Sequence, residues 1–201
     1  MPTQRQLQAA ATRQKIIDES QKLIGEKGYL NVTVDDIASA CGIAKGTLYN
    51  YFASKEDIFI YIERGHFQEV RKLVDEMNLN NVFDKLKYFL LTWFECVAGD
   101  NLNVSKDWHR LAVDLKVPAR DNRTHLDEDI ENVSHYLQEG IQNKELVPET
   151  PVHPIAMDIV FSMYGASFYR CSSYTAFDLV KWGNEFVEYV LSAHLAPYRE
   201  E

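Results

Sequence analysis

Long apolar runs are missing from this 201-residue chain. The best candidate, "YFLLTWF", is far short of the roughly 18 residues a membrane span needs. The opening "MPTQRQLQAAATRQK" is polar and holds no apolar stretch of the kind a secretory signal carries. Both absences point to a soluble cytoplasmic protein without membrane contact. Cysteine is scarce: Cys41, Cys96 and Cys171 are odd in number and far apart, with no C-x-x-C pair, which excludes a disulfide framework or a zinc knuckle. Each is expected in core packing, with Cys96 or Cys171 as the alternative candidate for a cavity or redox role. Catalytic signatures are missing too, since the chain has no Gly-rich phosphate loop, no G-x-S-x-G and no H-E-x-x-H. Positive charge is in short supply. Lys and Arg number 21 against 30 Asp and Glu, a formal net charge of -9, which excludes a protein that coats nucleic acid indiscriminately. The deficit is uneven: the residues up to Lys55 are close to neutral and the remainder is strongly acidic, the pattern of two domains meeting different partners.

What remains is an ordinary globular composition, 46% hydrophobic and 25% charged with a mean hydropathy of -0.31, and a periodicity that is helical almost throughout. Residues 9–27 space Ile16, Ser20, Leu23, Ile24 and Lys27 at three- and four-residue intervals, and Gly28 supplies a stop. Thr33 reads as the N-cap of a second helix, with Asp35 and Asp36 at the positive end of its dipole. Gly42 interrupts that helix after Ile37, Ala38 and Cys41. A short third helix carries Leu48 and Phe52 on one face, and "ASKED" opens a longer one that turns Ile58, Phe59 and Ile62 inward. Further helices are expected over 82–98, 103–116, 123–143, 154–172 and 176–194, separated by "AGDN", "VPARDN", "LVPETPVHP" and "CSSYT". No alternating strand pattern or internal repeat is present, so the fold is expected to be all-α with about nine helices.

A short helix, a glycine turn and a second short helix, backed by a longer first one, is the layout of a helix-turn-helix reader. On the wheel of the second short helix Leu48 and Phe52 form the buried edge. Gly46, Thr47 and Asn50 lie opposite, and Tyr49 and Tyr51 flank them, so nothing bulky or acidic occupies the outward face. Lys45 and Lys55, at the two ends, could neutralise phosphates on either side of a major groove, and the tyrosine hydroxyls could bond phosphate oxygens. Gly42 suits a turn that needs positive φ. Helix-glycine-helix segments are also common in all-α proteins, and spacing by itself leaves both readings open.

The run "TVDDIASACGIAKGTLYNYFASKEDI", preceded by "RQKIIDESQKLIGEKGYLNVTV", resembles the DNA-binding domain of the tetracycline-repressor (TetR) family. It has the G-Y-x-x-x-T approach to a capped helix, then A-x-x-C-G-I, K-G-T-L-Y-x-Y-F and S-K-E; the resemblance covers residues 10 to about 65. It implies an N-terminal three-helix helix-turn-helix domain over 1–55 and a helical effector-binding and dimerisation domain over 56–201. Thr33 is implied at a phosphate, Lys45, Gly46, Thr47, Tyr49 and Tyr51 against the major groove, and Lys55 on the backbone beyond it. Asn50 could pair with adenine, ranked below Thr47 and Tyr49 because the family leaves that slot variable. Ala44 stands where many members have a side-chain acceptor, an omission worth about 1 kcal/mol at an N-cap. The family further implies a homodimer on a palindromic operator, half-sites about 34 Å apart or a multiple of that, in the bacterial nucleoid and with repression as the common outcome.

For the acidic body, "PIAMDIVFSMYGASFYR" and "FDLVKWGNEFVEYVLSAHL" are apolar on more than one face and must be covered on more than one side. The family's answer is a four-helix bundle between two subunits, with Ile159, Met163, Ala166, Phe186 and Val190 expected at the interface. Aromatic stripes on the middle helices are usually core; in this family the region encloses a small effector, which makes Trp93, Trp108, His109, Tyr164, Phe168 and Tyr169 candidate lining residues. No cofactor is expected. Two rivals stand. The same head could carry a body that docks a protein partner, or the chain could be a metal-dependent helical enzyme using His125 with Asp129, or Asp107, His109 and Asp114. Neither metal set has a further ligand to complete it.

Overall fold

The computed structural model describes residues 3–77, 79–114, 125–173 and 176–200, and the side chains at 63, 64, 66, 67, 69, 112–114 and 125 lie outside that description, which takes in Asp114 and His125. Helix α1 spans Gln4–Lys27. It begins five residues ahead of the stretch with apolar periodicity, because a reciprocal cap between Thr3 and Gln6 starts it in an exposed segment that is polar except for Leu7. Gly28, at φ +78°, ends it with its amide on the Ile24 carbonyl at 2.8 Å. A single 3-10 turn, Tyr29–Asn31, leads to α2, Val34–Cys41. Gly42 then adopts the left-handed conformation (φ 67°, ψ 32°) that a Cβ would strain. Helix α3 is only Lys45–Tyr49, continued as a turn to Phe52 by amide bonds back to the Leu48 carbonyl. Helix α4 is Lys55–Glu76.

Beyond these lie α5 (Val82–Gly99), α6 (Leu102–Asp114), α7 (His125–Gln142), α8 (Val152–Ser172) and α9 (Leu179–Glu185), which runs through a π-helical stretch, Phe186–Leu191, into α10 (Ser192–Leu195). The fold is all-α: among the described residues no strand forms, and the one extended pairing is an isolated antiparallel bridge between Leu146 and Arg199.

The chain packs as two compact units. The first comprises Met1–Gly65 and Asn101–Arg110, so the beginning of α6 belongs with the N-terminal helices. Its core is Ile16, Ile24, Tyr29, Val32, Ile37, Leu48, Phe52, Ile58 and Phe59, with Trp108 of α6 set 6.0 Å from the Phe59 ring. The Arg13 guanidinium lies between the rings of Phe52 and Tyr61, 4.7 and 4.5 Å from their centroids, tying α1 to the residues on either side of the α3–α4 turn.

The second unit comprises His66–Asp100 and Leu111–Glu201. Helices α5, α7, α8 and α9 close around Leu86, Phe89, Phe94, Val133, Leu137, Val160 and Met163. Arg170 of α8 donates to the carbonyls of Val97, Ala98 and Asp100, taking up acceptors that the end of α5 leaves unpaired. Gly183 allows α9 to reach the Phe94 ring, where a Cβ would come within 2.4 Å.

Candidate nucleic-acid interface

The local sequence builds the helix-turn-helix in three steps. Thr33 caps α2: its hydroxyl accepts the Asp36 amide, and the Asp36 carboxylate accepts both the Thr33 amide (2.8 Å) and hydroxyl (2.6 Å). The Asp36 carboxyl is held below its ordinary range, first by the Thr33 hydroxyl and then by the Thr33 amide. Gly42 turns the chain, and α3 starts at Ala44 without any side-chain cap, as its methyl group requires. Leu48 and Phe52 are the buried edge of the third element. Lys45, Gly46, Tyr49 and Asn50 are exposed, Thr47 and Tyr51 partly so, and Tyr49 keeps 46% of its surface open. A Cβ on Gly46 would meet nothing within 4 Å, so the start of α3 is open to an approaching surface.

The two lysines of the interface are placed very differently. The Lys45 ammonium sits 2.9 Å from the Asp35 carboxylate, both side chains at least half exposed, and this hydrogen bond pushes the Lys45 pKa up. Lys55 turns inward. Its ammonium donates to the carbonyls of Tyr29 (2.8 Å) and Val32 (2.9 Å) and lies 4.0 Å above the Tyr29 ring. Burial lowers its pKa, opposed by the charges of Glu56 and Asp107. Tyr29 is thereby a junction, since its amide donates to Asp107 of α6 at 2.8 Å, its hydroxyl donates to Glu56 of α4 at 2.8 Å, and its ring packs 4.8 Å from Phe59. The sequence did not single out Tyr29 or Glu56, and it offered Asp107 only as a rival metal ligand, whereas its carboxylate accepts the Tyr29 amide. The G-Y-x-x-x-T spacing marks Tyr29 as a turn residue, but Asp107 stands 78 positions further on and no local pattern announces it.

Of the residues expected to line an effector site, Trp93, Tyr164, Phe168 and Tyr169 belong to the second unit. Trp93 and Tyr164 are neighbours, ring centroids 5.7 Å apart, and the Tyr164 hydroxyl donates to the buried Asp129 carboxylate at 2.6 Å. Trp108 and His109 belong to the other unit. Phe168 and Tyr169 lie on the open side of α8, Tyr169 edge-on to Phe177 at 5.0 Å. Among the described residues no group of three or more metal-binding side chains forms.

The expected interface residues also divide. Ile159, Met163, Ala166 and Phe186 are buried inside their own unit, Met163 completely; Val190 is exposed. The open face of α8 is offset from them. Phe161, Gly165 and Phe168 follow at intervals of four and three, Tyr169 lies beside them, and Tyr189 next to Val190 is exposed on the π-helical stretch. Both core and open face are apolar, which is why the periodicity did not separate them.

A three-helix head that buries Leu48 and Phe52 and turns Lys45, Gly46, Thr47 and Tyr49 outward defines a helix-turn-helix DNA-binding regulator. The pattern described as "Bacterial regulatory proteins, tetR family" matches residues 16–62, so the head carries the DNA-binding pattern of that family of transcriptional regulators. The fatty acid metabolism regulator protein of Bacillus subtilis is 28% identical over 190 residues, 89% of this chain and 93% of that protein. The repressor KstR2 of Mycobacterium tuberculosis is 31% identical over 101 residues, 48% of this chain and 50% of its own length. In three dimensions, FadR of Bacillus subtilis in complex with stearoyl-CoA aligns over 87% of this chain and 95% of its own, TM-score 0.62 and 25% identity. A regulator from Pectobacterium atrosepticum aligns over 98% of this chain and 100% of its own with a TM-score of 0.72, and at 16% identity it shows the fold alone. The chain is thus a transcriptional regulator and not an enzyme. Among the described residues no helix is long and apolar enough to cross a membrane.

Proposed function

We propose that the chain is a repressor that binds a palindromic operator as a homodimer and leaves it when a long-chain acyl thioester binds the helical body. The observation that carries the DNA reading is the open face of α3, uncharged apart from Lys45 and backed by the buried Leu48 and Phe52. Thr47, Tyr49 and Asn50 read base edges or phosphate, Gly46 admits close approach, and Tyr51 and the start of α2 at Thr33 meet the backbone. The ammonium of Lys55 already has partners inside the head, so its role is to hold the Tyr29–Val32 turn that sets α2. The open apolar face of α8, with Phe161, Gly165 and Phe168, supports a subunit contact continued by Tyr189 and Val190. The effector class is drawn from FadR with its bound stearoyl-CoA and from the Bacillus subtilis regulator matched over nearly its whole length. Release follows if the thioester prefers the state whose two heads no longer match the half-site spacing, by the ratio of its affinities for the two states.

The test begins with selection of bound fragments from genomic DNA, followed by anisotropy with the selected duplex. A preference for inverted repeats, lost in the Thr47→Ala/Tyr49→Ala double variant and reversed by stearoyl-CoA, is expected. Wild-type protein without any inverted-repeat preference overturns the DNA reading; retention on DNA at saturating stearoyl-CoA overturns the effector class.

A further inference from the structure

We infer that Asp35 limits how strongly the head holds DNA of any sequence, by keeping Lys45, the one cation on the reading helix, paired with a carboxylate until a phosphate displaces it. The inference rests on the proposed reading of α3 as the DNA-facing helix.

From the end of α1 to the start of α4 the cations are few, and each has a partner. Between Gly28 and Glu63 the sequence holds two basic residues, Lys45 and Lys55, and the Lys55 ammonium is bonded to two carbonyls inside the head. Lys27, at the end of α1, lies 3.8 Å from Asp36. The reading helix therefore offers a phosphate one ammonium, and that ammonium is 2.9 Å from Asp35.

The two acids at the start of α2 divide the work. Asp36 closes the capping box with Thr33, so its carboxylate is tied to the local backbone. Asp35 takes no part in that box, and its carboxylate reaches across the glycine turn to the first residue of α3. Exposed pairs of this kind add little to stability, so holding α2 against α3 does not account for it. Its larger effect falls on a third charge. A phosphate approaching Lys45 must compete for the ammonium, and the carboxylate stays well within the Debye length of about 8 Å at physiological salt. The repulsion is the same whatever the base sequence, whereas contacts from Thr47, Tyr49 and Asn50 to base edges carry no net charge and escape it. Since sequence-independent binding is almost wholly phosphate electrostatics, Asp35 bears on that mode in full.

The experiment uses the full chain and a labelled duplex of scrambled sequence, with anisotropy read over a salt series for wild type, Asp35→Asn, Asp35→Ala and Glu149→Gln. Glu149 is exposed between α7 and α8, and its substitution removes the same unit of charge from the other unit. Expected for both Asp35 variants is binding about 3- to 10-fold tighter at low salt, with the slope of log K against log salt steeper by about 0.9 per engaged head. Glu149→Gln should match wild type. Unchanged or weaker binding by both Asp35 variants, or an equal gain in Glu149→Gln, overturns the inference while leaving the DNA reading intact. Failure of the wild type to bind any duplex, selected fragments included, overturns both.

Discussion

Lys55 supplies a sharp test, because a lysine bonded inside the head and one reaching for a phosphate respond differently to the same change. Lys55→Met keeps the aliphatic stem and removes the ammonium. Two charge-assisted hydrogen bonds disappear, at 2.8 and 2.9 Å, together with a cation 4.0 Å above the Tyr29 ring. Hydrogen bonds to charged groups contribute about 1.5–3 kcal/mol each in favourable settings. Here the carbonyls are part-buried and regain some water, so a combined loss of about 2 kcal/mol is expected. Urea titration should show the lower midpoint, and amide exchange should show lost protection over residues 28–33, which the ammonium clamps. Operator affinity measured well below the transition should weaken modestly, with an unchanged salt slope, because no phosphate contact has been removed. A wild-type urea midpoint combined with a slope shallower by about 0.9 would refute the reasoning, since it would place the ammonium on DNA.

Gly183→Ala should lower the stability of the body by about 1–3 kcal/mol, although glycine to alanine in a helix normally gains about 1 kcal/mol; the added Cβ lies 2.4 Å from a Phe94 ring flanked by Trp93 and Trp182. A raised melting temperature would mean the ring swings aside. For Glu56, burial alone would raise the carboxyl pKa, but hydrogen bonds from its own amide, Tyr29 and Ser54 and the charge of Lys55 bring it below 4.5. The unfolded chain therefore binds the proton first, so this stabilisation is complete above that value and fades as pH falls through the folded pKa. Glu56→Gln should flatten the acid limb of a stability-versus-pH curve, and an unaltered limb would count against it.

The head was legible because its signals are local. Thr33 with Asp36 is a cap readable within four residues, Gly42 is a turn with positive φ, and the alternation of Leu48 and Phe52 with Gly46, Thr47 and Tyr49 sets the buried edge against the open face. Where the reading fell short, the deciding partner was distant in sequence. Lys55 follows a serine cap on an otherwise polar stretch, and nothing nearby says that its ammonium turns toward the carbonyls of Tyr29 and Val32, more than twenty positions back. Asp107 and Trp108 lie in a helix that periodicity assigns to the body, yet one accepts the Tyr29 amide and the other packs on Phe59.

Helix α8 shows a different limit, one of degeneracy. Periodicity reveals a face only when the faces differ in polarity, and α8 carries Ile159, Met163 and Ala166 on one side and Phe161, Gly165 and Phe168 on another, all apolar or small. From the wheel, either side could meet the core. Neighbouring elements settle it, because α7 and α9 pack against the first set and leave the second open. A protein that kept to itself would have little reason to leave two phenylalanines, at 50% and 58% exposure, on either side of a glycine with open space above it. The gap over Gly165 permits close approach of another backbone, which a larger residue would prevent. The same degeneracy that left the two sides of α8 indistinguishable in the sequence therefore fits a helix that packs one apolar side into its own core and leaves a second open, the side proposed above for a subunit contact.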